Sequence, residues 1–206
     1  SGLFKRIQIL GDAADKAEYV SNLIGNLKAV LSEEATRYAR VIIHTSFTLK
    51  HDDMDAVQAA VSEVTAQVDG PPCQFAVVKV NHANRFFAFN RNQPNLIPYE
   101  TSVVELGGGE YLIWFEGTFR NQPAATRAYA GPTHVKILRQ SGSKDIPDSE
   151  LLQDLVNLSG ANWRGFNAKN APVSVFYCHL LADLIHEFHQ RNLPMPGFED
   201  LRPWFL

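Results

Sequence analysis

The sequence predicts an α/β protein with a mixed sheet flanked by helices. Short β-branched runs alternate with longer segments whose apolar residues recur at helical spacing, and two helical segments follow one another near the end. Two pairs of strand-like runs are separated by short polar or glycine turns, which is typical of hairpins. Strands with helices inserted between them, followed by paired strands, favour a mixed sheet.

The first half of the chain repeats a strand followed by a helix. A short β-type run at Arg6–Leu10 precedes a predicted helix over Ala13–Glu33, whose apolar residues lie on one face. The β-branched run Arg40–Thr45 is suited to a buried strand. Asp52–Val68 follows it as a second helix with an apolar face.

The second half supplies hairpins and then helices. The predicted elements are the paired runs Phe75–Val80 and Arg85–Phe89, the paired runs Ser102–Leu106 and Tyr111–Phe115, a strand at Thr133–Leu138, and helices at Asp148–Leu158 and Val173–Gln190. Gly107–Gly109 predicts a hairpin turn rather than a phosphate-binding loop, because it lies between strands and does not open a helix. Pro194–Gly197 ends the last helix and leaves residues 194–206 as a C-terminal tail.

The composition is that of an ordinary globular domain. The 206 residues are 45% hydrophobic and 20% charged, which predicts one domain. No run of about 18 apolar residues could span a bilayer, and the first residues lack the basic-then-apolar pattern of a secretory signal. We therefore expect a cytoplasmic protein. The two cysteines, Cys73 and Cys178, predict neither a disulfide framework nor a zinc site.

Charge is unevenly distributed along the chain. The net charge of −3 argues against a surface built simply to attract phosphates. Residues 71–140, however, hold 7 Lys and Arg against 4 Asp and Glu, whereas residues 1–70 hold 7 against 10 and residues 141–206 hold 5 against 8. The basic side chains that could line a nucleic-acid groove, or else be scattered solvated charge, are Lys79, His82, Arg85, Arg91, Arg120, Arg127, Lys136 and Arg139.

The last third of the sequence resembles the closing section of an Argonaute PIWI domain. The resemblance is carried by Pro132–Leu138, Leu151–Trp163 and Pro172–Ala182, and it extends with decreasing specificity to Val41–Ser46 and Glu110–Trp114. It implies a ribonuclease H-like fold, in which three opening strands precede the first helix. Only one short run precedes it here. The resemblance therefore implies a partial PIWI domain over residues 1–206 that is incomplete at its N-terminal side.

Three positions match the catalytic tetrad of that family. Metal-dependent nucleases of this class hold two divalent ions with several carboxylates, or with a histidine in place of one. The resemblance places Glu18, Ser46 and His179 at such positions. Ser46 stands where the family keeps an acidic ligand, and a hydroxyl does not supply the anionic charge that holds Mg²⁺. An active enzyme is therefore not expected. The alternative for Glu18 is an acidic residue that the helix macrodipole favours in the first turn. The alternative for His179 is a helix histidine that packs or forms a hydrogen bond without binding metal.

The resemblance also implies a set of nucleic-acid-binding residues in the last third. They lie in a polar, basic loop between two helices and at the start of the second helix: Asn162, Arg164, Asn167, Lys169 and Tyr177. The matching region of PIWI domains contacts the guide backbone near its 5′ end. Helix N-termini and polar side chains suit phosphate oxygens. The alternative is an ordinary surface loop.

The apolar tail implies a metal role by the same resemblance. In many prokaryotic Argonautes a terminal carboxylate helps to bind a metal ion that also holds the guide 5′ phosphate. Leu206 would supply that carboxylate here, with Mg²⁺ or Mn²⁺ as the cofactor. The alternative is hydrophobic docking of Trp204 and Phe205 without metal.

The cluster His51–Asp55 suggests a second metal site, because it offers three carboxylates and one imidazole within five residues. Successive helical positions do not face one way, and the cluster lies where a helix is predicted to begin. Capping and compensation of the helix dipole therefore explain these acids, and no metal site is predicted there.

The leading hypothesis is guide-directed nucleic-acid binding by a catalytically impaired, prokaryotic-type Argonaute PIWI module. Its partners would be a guide RNA or DNA, a complementary target, a MID domain, the remaining PIWI portion and an effector protein in defence against invading DNA. One alternative is an active metal-dependent guided endonuclease completed by the missing portion. Another is an α/β protein-interaction module with no nucleic-acid role.

Overall fold

The computed structural model describes residues 8–11, 15–33, 38–66, 72–116, 131–141, 146–160 and 171–194. Its elements, in chain order, are α1 (Lys16–Glu33), β1 (Arg40–Thr45), α2 (His51–Thr65), β2 (Gln74–Asn81), β3 (Val103–Gly107), β4 (Glu110–Ile113), β5 (Thr133–Ser141), α3 (Asp148–Gly160) and α4 (Val173–Gln190). The chain divides into two compact units, and the long strands β2 and β5 each contribute residues to both. The N-terminal unit holds α1, β1, α2, β2 up to Lys79 and β5 from Ile137, and the C-terminal unit holds the other parts of these strands with β3, β4, α3 and α4.

The five strands form one mixed sheet in the order β1-β2-β5-β4-β3. β1 and β2 are parallel, with Arg40 opposite Gln74 and Thr45 opposite Lys79. β4 is antiparallel to both β3 and β5. The predicted α/β class with a mixed sheet is therefore confirmed.

The core of the N-terminal unit forms where α2 covers β2. Apolar residues of α2 recur every three or four positions, and Val57 and Val61 are fully buried. β2 is a nearly continuous apolar run, and Phe75 and Val77 join the same cluster. Such runs are typical of strands covered on both faces. α1 packs partly buried residues, including Leu27, against this cluster.

A side-chain cap fixes the start of α1. The backbone N–H of Glu18 donates a hydrogen bond to Asp15 Oδ1 at 3.0 Å, so Asp15 satisfies one of the donors left open at the helix N-terminus. The helix therefore begins at Lys16. The predicted helix is confirmed within the described residues, although its predicted start at Ala13 lies outside them.

The hairpin of β3 and β4 is confirmed, and its turn explains the three glycines. Gly107, Gly108 and Gly109 have φ angles of 92°, 62° and 74°, a region that residues with a Cβ rarely adopt. β4 is largely buried, whereas every residue of β3 is exposed. The glycine run is therefore a turn between strands, as predicted.

Two predicted strands are wrong. Residues 8–10, the described part of the run Arg6–Leu10, form no strand, and Leu10 offers its carbonyl to the Asn22 side chain at 2.8 Å rather than to a neighbouring strand. Arg85–Phe89 forms no strand either. There the Asn84 side chain accepts the Phe86 N–H at 2.9 Å, so a local side-chain bond replaces a bond of the strand ladder.

Other predicted elements are confirmed with shifted ends. β5 extends beyond the predicted Leu138 to Ser141, α3 extends beyond the predicted Leu158 to Gly160, and α4 has the predicted range. Among the described residues, no helix combines the length and the apolar character needed to cross a membrane.

Candidate nucleic-acid interface

The carboxyl end of β1 and the neighbouring part of β2, up to Lys79, form one edge of the N-terminal unit. Ser46 follows β1 directly and is exposed. The turn after it is held by Thr45, whose buried hydroxyl donates to the Phe47 carbonyl at 3.0 Å and accepts the Phe47 N–H at 3.2 Å. In open α/β sheets, ligands bind outside the carboxyl ends of the strands. Ser46 is therefore presented at a position suited to a ligand.

A lysine from the neighbouring strand reaches the same edge. Lys79 lies opposite Thr45 in the ladder, and its Nζ donates a hydrogen bond to Thr48 Oγ1 at 2.9 Å. Ser46 and Thr48 contribute hydroxyls, and Lys79 contributes a positive charge. This set suits an anion such as a phosphate better than a divalent cation.

Glu18 lies in the same region of the N-terminal unit. The rings of Tyr19 and Phe47 pack edge to face with their centroids 5.2 Å apart, so the first turn of α1 lies beside the turn that follows β1. Glu18 itself is exposed. A Cβ at Gly11, whose φ is 127°, would lie 3.6 Å from Glu18 Cδ. The structure thus brings the neighbours of two tetrad-like positions, Glu18 and Ser46, into contact.

The third tetrad-like position belongs to a different group of residues, in the C-terminal unit. His179 is exposed on α4, and it acts electrostatically on His82, as does Glu116. His82 Nδ1 lies 3.0 Å from the buried Thr133 Oγ1. Desolvation lowers the pKa of His82; Glu116 opposes that shift, and His179 reinforces it. We call His82, Glu116, Thr133 and His179 the histidine cluster.

Sequence reasoning missed the histidine cluster as a group. The sequence presents His82 as one basic residue among eight, and Thr133 as the first residue of a predicted strand within the range Pro132–Leu138 that carries the family resemblance. Their separations along the chain, 51 residues between His82 and Thr133, exceed what local patterns can connect. The available signal was their position, because His82 follows β2 and Thr133 begins β5, and these strands are neighbours in the sheet.

Some of the basic residues proposed to line a groove form ion pairs within the protein, and others are exposed to solvent. Lys136 Nζ lies 2.6 Å from Glu110 Oε1, and His134 Nε2 lies 3.0 Å from the other oxygen of that carboxylate. Hydrogen bonds from Lys136 and then His134 hold the pKa of Glu110 below its ordinary value. Arg85 and Arg91 are exposed instead. Arg120 and Arg127 lie outside the described residues.

The acidic start of α2 behaves as an ion-pair network. His51, Asp52 and Asp55 bring ligand atoms within 4.8 Å of one another, but Arg139 Nη1 lies 2.6 Å from Asp55 Oδ1. Desolvation raises the pKa of Asp55, but the hydrogen bonds and charges of Arg139 and His51 together lower it. Asp53 Oδ2 accepts the Lys50 N–H at 3.2 Å. The predicted capping role is therefore confirmed for Asp53, and Arg139 already compensates the charge of Asp55.

Most of the predicted guide-binding residues lie outside the described residues. These are Asn162, Arg164, Asn167, Lys169 and Leu206. Tyr177 is described: it lies in the first turns of α4, is 8% exposed, and packs edge to face on Phe176 with centroids 5.5 Å apart. Its role in binding stays a prediction.

Comparison with known proteins supports a PIWI-like domain. No family model matches the sequence. The chain is similar to a protein named "Piwi protein" from Archaeoglobus fulgidus, with 23% identity over 208 residues. The similarity covers 92% of this chain and 49% of that protein, so the chain spans about half the length of this relative. The mixed sheet flanked by helices is compatible with a ribonuclease H-like PIWI fold.

Proposed function

We propose that this chain is a catalytically impaired PIWI module that takes part in guide-directed nucleic-acid binding. The observation that carries the proposal is the similarity to a Piwi protein over 92% of the chain, joined to a mixed α/β sheet with helices in the expected order. In guide-dependent systems base pairing reads the sequence, while protein contacts read backbone and shape. The chain would contribute to binding of the guide 5′ end and of the guide–target duplex.

The composition of the β1–β2 edge supports the absence of cleavage. Two-metal catalysis needs carboxylates that neutralise and position divalent ions. At this edge Ser46 stands where the family keeps an acidic metal ligand. Thr48, two residues after Ser46, accepts a hydrogen bond from the Lys79 ammonium. A fixed positive charge there opposes a divalent cation and favours a phosphate oxygen.

The guide 5′ end would be held by the polar loop and the tail. Asn162, Arg164, Asn167 and Lys169 offer donors to phosphate oxygens, and Tyr177 offers a hydroxyl. The terminal carboxylate of Leu206 is a hard oxygen donor of the kind that Mg²⁺ or Mn²⁺ accepts. When bound, the ion would neutralise negative charge between that carboxylate and the guide phosphate.

The partners follow from the same proposal. Because the chain spans about half of its relative, a MID domain and the remaining PIWI portion would complete the guide pocket. A separate effector protein would supply the enzymatic response in defence.

A guide loaded onto the assembled protein should retain a complementary target and release a scrambled one. Equal retention of both targets would exclude guide-directed binding.

We predict no guide-dependent cleavage with either Mg²⁺ or Mn²⁺. Glu18→Ala should leave the low background unchanged, because no complete set of carboxylates is expected around the ions. Glu33→Ala, at the opposite end of α1, is the matched control. The measurement is gel analysis of a labelled target paired to its guide. Cleavage that depends on the guide and is lost in Glu18→Ala but kept in Glu33→Ala would instead establish an active endonuclease.

A further inference from the structure

An aromatic segment between β2 and β3 is exposed and flanked by arginines. We call Arg85–Arg91 the aromatic segment; it contains Phe86, Phe87 and Phe89. Their exposed fractions are 43%, 62% and 53%. Single exposed apolar residues are ordinary on protein surfaces, but three phenylalanines within four positions form a patch that indicates a binding surface.

Hydrogen bonds from asparagines brace the aromatic segment at both ends. At its start, Asn84 Nδ2 donates to the Pro132 carbonyl at 2.7 Å, and Asn84 Oδ1 accepts the Phe86 N–H at 2.9 Å. At its end, the Asn90 N–H donates to the Leu96 carbonyl at 2.9 Å. A braced loop loses little conformational freedom when a ligand binds, so its rings are pre-organised.

The three rings make different ring contacts. The Phe86 ring packs against the His134 imidazole of β5, with centroids 5.0 Å apart and planes at 42°. Phe87 and Phe89, two positions apart, pack against each other instead, with centroids 4.5 Å apart and planes at 76°. Phe86 therefore anchors the segment, while Phe87 and Phe89 form a pair that is more than half exposed.

Along the chain, the aromatic segment and the residues beside it carry only positive charge. Residues 81–99 contain Arg85 and Arg91 and no Asp or Glu, in a chain whose net charge is −3. Both arginines are exposed, and neither forms an ion pair with another residue that the structure describes. Glu110, which lies close to His134, is already paired with Lys136 and His134. An anionic ligand would therefore meet positive charge next to exposed aromatic rings.

We propose that the aromatic segment is a stacking platform for unpaired bases of single-stranded nucleic acid. Phe87 and Phe89 would stack on bases, and Arg85 and Arg91 would contact the phosphates on either side. Exposed aromatic rings beside basic residues are the combination that binds single strands without regard to sequence. A duplex is a poorer ligand, because its bases are already stacked on one another. This proposal uses none of the residues predicted to bind the guide 5′ end, so the two proposals can fail separately.

The test compares three labelled probes with the same number of phosphates on the labelled strand. One is a single-stranded thymidine oligonucleotide of about 12 residues, the second has the same backbone with abasic sites, and the third is a blunt duplex. Fluorescence anisotropy with the full chain gives the affinities over a range of salt concentrations. We expect the thymidine strand to bind at least about 30-fold more tightly than the abasic strand, because the two stacked bases contribute about 1–3 kcal/mol each.

Variants separate stacking from charge. Phe87→Ala with Phe89→Ala should reduce the affinity for the thymidine strand to that for the abasic strand and leave the salt slope unchanged. Arg85→Gln with Arg91→Gln should lower the salt slope by about 1.4 for both strands, because each phosphate contact in a single strand contributes about 0.7. Val103→Ala and Leu193→Ala remove exposed apolar groups elsewhere and should change neither quantity.

Equal affinities of the wild-type chain for the thymidine and abasic strands would overturn the stacking proposal. So would a double phenylalanine variant that keeps the preference for bases, as expected if the patch serves a protein partner. Neither result would argue against binding that depends on a guide 5′ phosphate. Circular dichroism and thermal unfolding of the double variant should match those of the wild type, since both rings are more than half exposed.

Discussion

Phe75→Ala is expected to lower the free energy of unfolding by about 3–5 kcal/mol, the usual cost of removing a buried phenylalanine. Phe75 is 1% exposed and belongs to the core cluster that also contains Val57 and Val61 of α2. The cavity left by the ring cannot close without moving β2 against α2. Because Lys79 lies near the end of β2, its hydrogen bond to Thr48 should be lost as well. Urea denaturation followed by circular dichroism measures the change.

Phe89→Ala is the matched control for this prediction. It makes the same chemical change at a residue that is 53% exposed, so the free energy of unfolding should change by less than about 1 kcal/mol. A loss at Phe89 as large as the loss at Phe75 would contradict the core assignment, and so would a tolerated Phe75→Ala.

Lowering the pH from 7 to 4.5 is expected to cost about 2 kcal/mol of the free energy of unfolding through His44 alone. His44 lies within β1, and burial lowers its pKa from 6.5 to about 4. His44 is therefore protonated below pH 6.5 in the unfolded chain, but only below about pH 4 in the folded chain. The stability is complete above pH 6.5 and falls as the pH drops through this window.

The His44 prediction is checked by the slope of stability against pH. Urea midpoints between pH 7 and pH 4.5 should fall steeply in the wild type and less steeply in His44→Gln, whatever the variant's stability at pH 7. His189→Gln, at an exposed histidine of α4, should keep the wild-type slope. An unchanged slope in His44→Gln would show that His44 is not buried in its neutral form.

Periodicity predicted the elements whose burial pattern is regular. Apolar residues at helical spacing predict α1 and α2, and β-branched and apolar runs predict β1 and β2. Arg85–Phe89 has the composition of a strand as well, yet it forms none. The bonds of the Asn84 side chain to Pro132 and Phe86 decide its conformation, and one of those partners lies 48 residues away. Composition does not report such bonds.

The candidate site was predictable where it depends on strand ends and not where it depends on distant partners. The position of Ser46 follows from the end of β1, whereas the packing of the first turn of α1 beside the turn after β1 depends on the contact between Tyr19 and Phe47. The link between Lys79 and Thr48 depends on the β1–β2 register, and the link between Arg139 and Asp55 joins residues 84 positions apart. The contact between His82 and Thr133 likewise joins residues 51 positions apart.

The most direct test of guide binding compares 5′-phosphorylated and 5′-hydroxyl guides with Mg²⁺ over a range of salt concentrations. The chain should be used together with the proposed MID domain and remaining PIWI portion, with and without residues 204–206. The account predicts that the phosphorylated guide binds about tenfold or more tightly, since a charge-assisted contact contributes about 1.5–3 kcal/mol, and that removing the tail abolishes this preference. Weak binding that is indifferent to the phosphate and to the tail would contradict guide binding and leave an α/β interaction module.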